Sequence, residues 1–220
     1  MTKFKNYIIA EEPDFTELLD VKDEMITEEI SKGVKKIKQK CKPWLNTIKS
    51  CKNKALWRGV TSTGGDPVIM KPVRTDRQPL MTGPKDQKKF DTVFDNYWGW
   101  KPRATGLFAT GDYATAAGFG ENTYLIFPVG PFKYLWAEKI DDLWNYRKAN
   151  YDELRQIVKT EYSDKDICKA LSNKSGIEIM IKTKSYIGIY DETLNDFLLK
   201  THNKNLHSLT ANFFINEYLY

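Results

Sequence analysis

Apolar residues recur at helical spacing through the first part of the chain and at strand spacing through much of its middle. Leu18, Val21, Met25, Ile30, Val34 and Ile37 fall on one stripe with a period near that of an α-helix, acids leading and lysines trailing. Residues 13–42 are therefore expected to form a long helix, with Asp14 as its cap, Glu17 at the capping-box position and Pro43 as its stop. Residues 55–60 (ALWRGV) read as a short strand, followed by the turn-forming TSTGGDP. Residues 67–84 hold four prolines and read as a loop. In DQKKFDTVFDNYW, residues 86–98, one face of an amphipathic helix carries Phe90, Val93, Phe94 and Tyr97. GWKPRATG reads as a further loop. In GLFATGDYATAAGFG, LFAT is a strand end, Asp112 caps a short helix running to Ala117, and Gly118 and Gly120 close it.

Residues 123–129 and 132–137 read as buried strands joined by a PVGP turn, and residues 139–172 as two or three helical pieces. Residues 177–183 and 185–190 are expected to pair as a hairpin, and ANFFINEYLY to add a last strand. Strands interrupted by irregular helical insertions, without regular alternation, predict an α+β fold. The expected organisation is an N-terminal helical segment over residues 1–52 and a core over residues 53–220.

Composition narrows this picture. A chain of 220 residues with 41% hydrophobic and 13% aromatic content can build a sizeable core, and such aromatic content argues against disorder. No apolar run approaches the roughly 20 residues that span a bilayer, and the short apolar patch at the N-terminus is followed by acids, unlike a secretory signal. A soluble, intracellular protein is expected. The three cysteines, Cys41, Cys51 and Cys168, are odd in number and irregularly spaced, which argues against a disulfide framework, and none forms a C-x-x-C pair. The two histidines, His202 and His207, confine imidazole chemistry to one segment, and no metal site is expected. Net charge is +5, with lysines concentrated over residues 35–54. That run is either a solvated helix face or a patch that steers an acidic macromolecule.

Three pieces carry candidate chemistry, each with a polar side chain inside an apolar run. In Trp57-Arg58-Gly59, Arg58 either pairs with a surface acid or holds phosphate or ribose oxygens, and Gly59 permits close approach of a ligand to the backbone. In Gly106-Leu107-Phe108-Ala109-Thr110, Thr110 is either a turn residue or a site hydroxyl. In Ser175-Gly176-Ile177-Glu178-Ile179-Met180-Ile181, Glu178 either faces solvent or is a catalytic carboxylate beside a pocket. Met180 shares its face, which favours the second reading.

Taken in order, these pieces resemble the arginine–serine–glutamate class of mono-ADP-ribosyltransferases over roughly residues 55–190, and are most similar to uncharacterised proteins of tailed phages. LWRGV resembles the Arg-Gly end of the family's first core strand. GLFATGDYATAAGFG resembles its Ser-Thr-Ser strand and following small-residue helix, and SGIEIMI its late Glu-x-Glu strand. Ala109 and Gly111 stand where the family has its two serines, and Gly176 where it has the first glutamate. The resemblance implies an ADP-ribosyltransferase-like split β-sheet with NAD as substrate and no metal.

It further implies roles for single residues. Glu178 would stabilise the oxocarbenium-like ribose, Thr110 would position Glu178, and Arg58 would hold ribose or pyrophosphate. Gly59 would offer backbone groups to the nicotinamide amide. Tyr113 and Phe119 are candidates to stack on nicotinamide, although Phe119, ending a helix before a buried strand, reads more simply as core. Arg74, Arg77 and Arg103 lie on flanking loops and read as solvated, or as reaching NAD phosphates or a target. Trp98 and Trp100 are expected to pack beneath the loop at Gly99. The missing first glutamate argues against an arginine acceptor. The expectation is transfer to a host protein or nucleic acid, in host cytoplasm or carried in a virion, with no membrane partner. NAD hydrolysis, a catalytically silent phage virion or interaction protein on the same fold, and a nucleic-acid-binding module without catalysis, which would interleave aromatic and basic residues on one sheet face, are the alternatives.

Overall fold

A computed structural model describes residues 15–220, except 53, 62–63, 76–82, 141, 174 and 203–209. The long N-terminal helix is α1, Phe15–Lys40, and Asp14, its expected cap, lies outside the described residues. Pro43 does not stop helical structure. It sits in the first turn of a second helix, α2 (Lys42–Ser50), where a missing backbone N–H is harmless. Ile30 and Ile37 of α1 and Trp44 and Ile48 of α2 are buried, whereas Met25, expected on the apolar stripe, is exposed.

The protein is mixed α/β with two four-stranded antiparallel sheets. The first holds β1 (Trp57–Val60), β2 (Val68–Pro72), β4 (Asn122–Pro128) and β8 (Ser185–Tyr190), in the order β1-β4-β8-β2. The second holds β3 (Leu107–Ala109), β5 (Lys133–Ala137), β6 (Tyr162–Ser163) and β7 (Ile179–Lys182), in the order β3-β7-β5-β6. The proline-rich segment read as a loop thus contains a strand. β2 is at a sheet edge and Pro72 is its last residue, a place where an absent donor is tolerated.

The expected hairpin of residues 177–190 does not form. β7 pairs with β3 and β5, whereas β8 pairs with β4 and β2, so the short link between them turns a corner from one sheet to the other. The link from β4 to β5 turns the same corner alongside it, joined by Val129 N–H to Ser185 C=O at 2.9 Å. Thr183 Oγ1 sits at that corner within 2.9 Å of the Val129 carbonyl and 3.1 Å of the Ser185 carbonyl.

The pleat of the second sheet sorts its side chains. Leu107, Ala109, Trp136, Ile179 and Ile181 join the main core with the first sheet. Phe108, Leu135, Ala137 and Met180 point the other way, under α3 (Pro84–Trp98) and α6 (Tyr151–Glu161). Phe90, Val93 and Phe94 of α3 are buried as expected, but Tyr97 is exposed. Gly99, in the left-handed region at φ 70°, ends α3 and turns the chain so that Trp100 is buried. Residues 139–172 contain a 3₁₀ turn (Leu143–Tyr146), α6 and α7 (Ile167–Ser172), with β6 between the two helices.

The C-terminal segment is not a strand. It forms α9 (Thr210–Leu219), preceded by α8 (Asp191–His202). Ala211, Phe214, Ile215 and Leu219 are its buried positions, a spacing with the helical period. These helices share one hydrophobic cluster with α1, α2 and both sheets. Cys51, at the end of α2, is bonded to Cys168 in α7, and Cys41 is free and buried. The cysteine count was therefore misleading: one pair and one buried thiol, 117 residues separating the bonded partners. Among the described residues no helix is long and apolar enough to cross a membrane.

Candidate active site

The two sheets meet where β1 touches the end of β3. Trp57 N–H donates to the Thr110 carbonyl at 2.7 Å and Thr110 N–H to the Trp57 carbonyl at 3.0 Å, an isolated antiparallel bridge. On the other side of β3, Leu107, Phe108 and Ala109 face Ile181, Met180 and Ile179. That ladder ends with Ala109 opposite Ile179; Thr110 is the next residue after β3, and Glu178 is the residue that precedes β7. Trp57 is thus bridged to Thr110 on one side of this strand end, and Glu178 precedes the strand on its other side. By the same pleat Thr110 and Glu178 continue the side that carries Phe108 and Met180, so the carboxylate stands at the open end of an apolar row.

Arg58 follows Trp57 and is half-buried. Its Nη1 donates to the Phe108 carbonyl, which fastens the guanidinium to the strand that ends in Thr110. Its Nε is buried without a hydrogen-bond partner, and among the described residues Arg58 makes no ion pair. No acid among the described residues neutralises it. Thr110 is buried, and its Oγ1 accepts from Asp112 N–H at 3.1 Å, so it also serves the turn that opens the next helix.

Glu178 is half-exposed, and its carboxylate stands 3.8 Å from Nη1 of Arg103. Arg103 lies on a short helix, α4 (Pro102–Thr105), and not on a loop. Its side chain is only 12% exposed, with the guanidinium over the rings of Phe90 and Phe108 and with Nε buried and unpartnered. Asp91, a buried carboxylate on α3, holds this helix by accepting from Ala104 N–H at 3.3 Å, and also accepts from Gln87 Nε2 at 2.7 Å. Burial raises the Asp91 pKa despite those hydrogen bonds and the nearby Arg103 charge. Tyr162, buried nearby, is pushed upward by burial first and by the Glu178 charge second. Sequence reasoning passed over Asp91. Its signal was an acid next to Phe90 and three residues before Phe94, inside an otherwise apolar face.

The remaining wall is α5 (Tyr113–Ala117), capped as expected by Asp112, which accepts from Thr115 N–H at 2.8 Å. A Cβ on Gly59 would stand 2.3 Å from the Ala116 carbonyl and 2.7 Å from Gly120 N, so the close approach that Gly59 permits is to the end of α5. This packing brings the backbone of Phe119 against Gly59. Phe119 is 76% exposed and is not the core residue its position suggested. The Tyr113 ring meets Trp57 edge-on at 5.2 Å, and its hydroxyl donates to Asp191 at 2.8 Å. Burial, then the bond to Asp191, pushes the Tyr113 phenol to about 12. Gly111 and Gly176 are also dictated by neighbours. A Cβ at Gly111 would stand 2.2 Å from the Leu171 carbonyl, and one at Gly176, where φ is 73°, would stand 2.2 Å from Thr115 Oγ1.

Arg58, Gly59, Thr110, Tyr113 and Phe119 are therefore gathered around the end of β3, while Glu178, just before the neighbouring strand, has Arg103 beside it. Arg74 is exposed on the segment after β2, and Arg77 and His207 lie outside the described residues. No protein-family model matches the chain, and no match is found among curated proteins or solved structures.

Proposed function

We propose that the protein is an ADP-ribosyltransferase-like enzyme of phage type that binds NAD and breaks its nicotinamide–ribose bond at Glu178. What supports the reading is that Arg58 is fastened to β3, Thr110 follows that strand, and Glu178 precedes the strand paired with it, the three coming from separated stretches of chain. Two antiparallel sheets that touch at this point are what the split-sheet fold of such enzymes requires. The unpartnered Nε atoms of Arg58 and Arg103 add support. Leaving a buried donor unsatisfied costs about 1–3 kcal/mol, and an anionic ligand such as a pyrophosphate would recover it.

In this mechanism the C–N bond to nicotinamide breaks, its electron pair leaves with nicotinamide, and positive charge develops on the ribose. Glu178 accepts a hydrogen bond from the ribose 2′-OH and stabilises that charge. The Thr110 strand end sets the height of Glu178, while Arg58 and Arg103 hold phosphate oxygens. Arg103 exchanges its long contact with Glu178 for the ligand. Phe119 and Tyr113 supply aromatic surface for nicotinamide. The acceptor's nucleophile then attacks ribose C1′ and releases its proton.

Gly176 bears on the acceptor. A glutamate there would need a left-handed backbone and the space held by Thr115, so the carboxylate that activates an arginine acceptor has no place. This favours a host protein side chain other than arginine, a host nucleic acid, or water, the last making the protein an NAD glycohydrolase. Incubation with labelled NAD and host lysate tests the proposal. Label on a macromolecule, or released ADP-ribose, should fall at least about 100-fold in Glu178→Gln, matching the roughly 3 kcal/mol attached to one such group. If the wild-type protein neither binds nor cleaves NAD, the enzymatic reading fails.

A further inference from the structure

A concavity whose lining does not include Arg58, Thr110 or Glu178 lies at the corner where the chain passes between the sheets. It has a volume of about 510 Å³ and is lined by Lys133, Lys182 and Lys184 together with Val73, Pro131 and Phe132. Lys133 and Lys182 are directly opposite in the β5–β7 ladder, so two exposed ammonium groups project from the same face of adjacent strands. Like charges so placed repel and destabilise a sheet. Among the described residues none of the three lysines is in an ion pair, and no carboxylate lines the concavity. Lys182 instead rests over the Trp100 ring at 5.9 Å. The basic end of α1 reaches the same corner, because Gly130 N–H donates to the Lys40 carbonyl at 2.8 Å, and Lys38 and Lys40 occupy the last turn of that helix.

We infer that this corner binds single-stranded nucleic acid. The lysines neutralise successive phosphates, whose charge relieves the repulsion between Lys133 and Lys182. Val73, Pro131 and Phe132 offer an apolar floor on which a base can lie, the alternation of charge and flat apolar surface that strand-binding grooves use. An acidic peptide would satisfy the lysines but has no planar group for the Phe132 side. Free phosphate would satisfy one lysine pair and leave the α1 lysines unused. A strand spans both. The inference is independent of NAD chemistry, although α4 separates the two places, with Arg103 at Glu178 and Thr105 lining this concavity.

The test is fluorescence anisotropy of the full chain with a labelled single-stranded oligonucleotide, titrated at several salt concentrations. Competitors are the same sequence as duplex, a mononucleotide, inorganic phosphate and a poly-glutamate peptide. We expect saturable binding that weakens with salt. In Lys133→Gln/Lys182→Gln/Lys184→Gln the slope of log affinity against log salt should shrink by about 2, at roughly 0.7 per phosphate contact on a single strand. Phe132→Leu should weaken binding several-fold at unchanged salt slope, which separates stacking from charge. Circular dichroism of each variant checks that the fold is kept. The inference is overturned if the oligonucleotide does not bind at low salt, or if the triple variant keeps the wild-type slope. Competition by poly-glutamate or inorganic phosphate as effective as by unlabelled strand also overturns it.

Discussion

At the scale of single residues, two positions state what the local environment demands. Gly176 combines a left-handed backbone with a neighbour, Thr115, that leaves no room for a Cβ. Gly176→Glu, which would install the first glutamate of the family the sequence resembles, is expected to lower stability by roughly 1–3 kcal/mol and to yield no arginine modification. Chemical denaturation and a labelled-NAD assay on polyarginine check the two halves. Asp91 makes the second case. Burial raises its native pKa above the ordinary 3.8, so the folded protein binds its proton more tightly than the unfolded chain does. The favourable contribution is complete below the unfolded pKa and is lost as pH rises through the native one. Asp91→Asn keeps an acceptor for Ala104 N–H, and should remove this loss, flattening the decline in stability as pH rises above the unfolded carboxyl pKa. Urea midpoints measured across that range give the answer, and an unchanged pH profile would count against the assignment.

Among elements, the corner between the sheets and the tie between helices matter most. Residues 177–183 and 185–190 were recognisable as strands from their apolar content, yet a short link between two strands normally signals a hairpin. Nothing local says that β7 and β8 enter different sheets, because sheet membership depends on β3, β4 and β5. The tail shows a related ambiguity. ANFFINEYLY suits either period over ten residues, and burial against α8 and α1 selects the helix. The Cys51–Cys168 bond ties α2 to α7, and α7 in turn presses its Leu171 carbonyl on Gly111 beside the candidate site. Because the bond closes a loop of more than a hundred residues, reduction or Cys51→Ser is expected to cost about 2–4 kcal/mol. Thermal unfolding with and without reductant measures it. Thiol counting on protein from the reducing cytosol, where such bonds are rare, shows which form is present there.

Across the whole molecule, the boundary drawn at residue 52 does not divide the core. Ile30, Ile37, Trp44, Leu45 and Ile48 are buried in the same cluster as Leu125, Ile126 and Ile187 of the first sheet. Burial of side chains of this size is worth about 1.5–3 kcal/mol each. Losing five of them removes roughly 10 kcal/mol, as much as a whole domain's usual stability. Residues 53–220 expressed alone should therefore fail to give a cooperative thermal transition, whereas the full chain should unfold in one step seen alike by circular dichroism and tryptophan fluorescence. A folded, cooperative truncation would mean that the N-terminal helices are an annex.

Periodicity alone was enough for α1, α3, α5 and the strands of the middle segment, because each is set by spacing, caps and turn residues a few positions apart. The residue types of the candidate site, Arg58, Thr110 and Glu178, were legible for the same reason: each interrupts an apolar run, and a polar group there needs a purpose. What lay beyond the sequence was every relation between distant parts. The cysteine pairing, the sheet corner, the exposure of Phe119, the burial of Asp91 and the placement of Arg103 against Glu178 depend on which surfaces the collapsed chain brings into contact. Local propensity extends over a few residues, while pairing and burial are decided between segments separated by tens of residues or more.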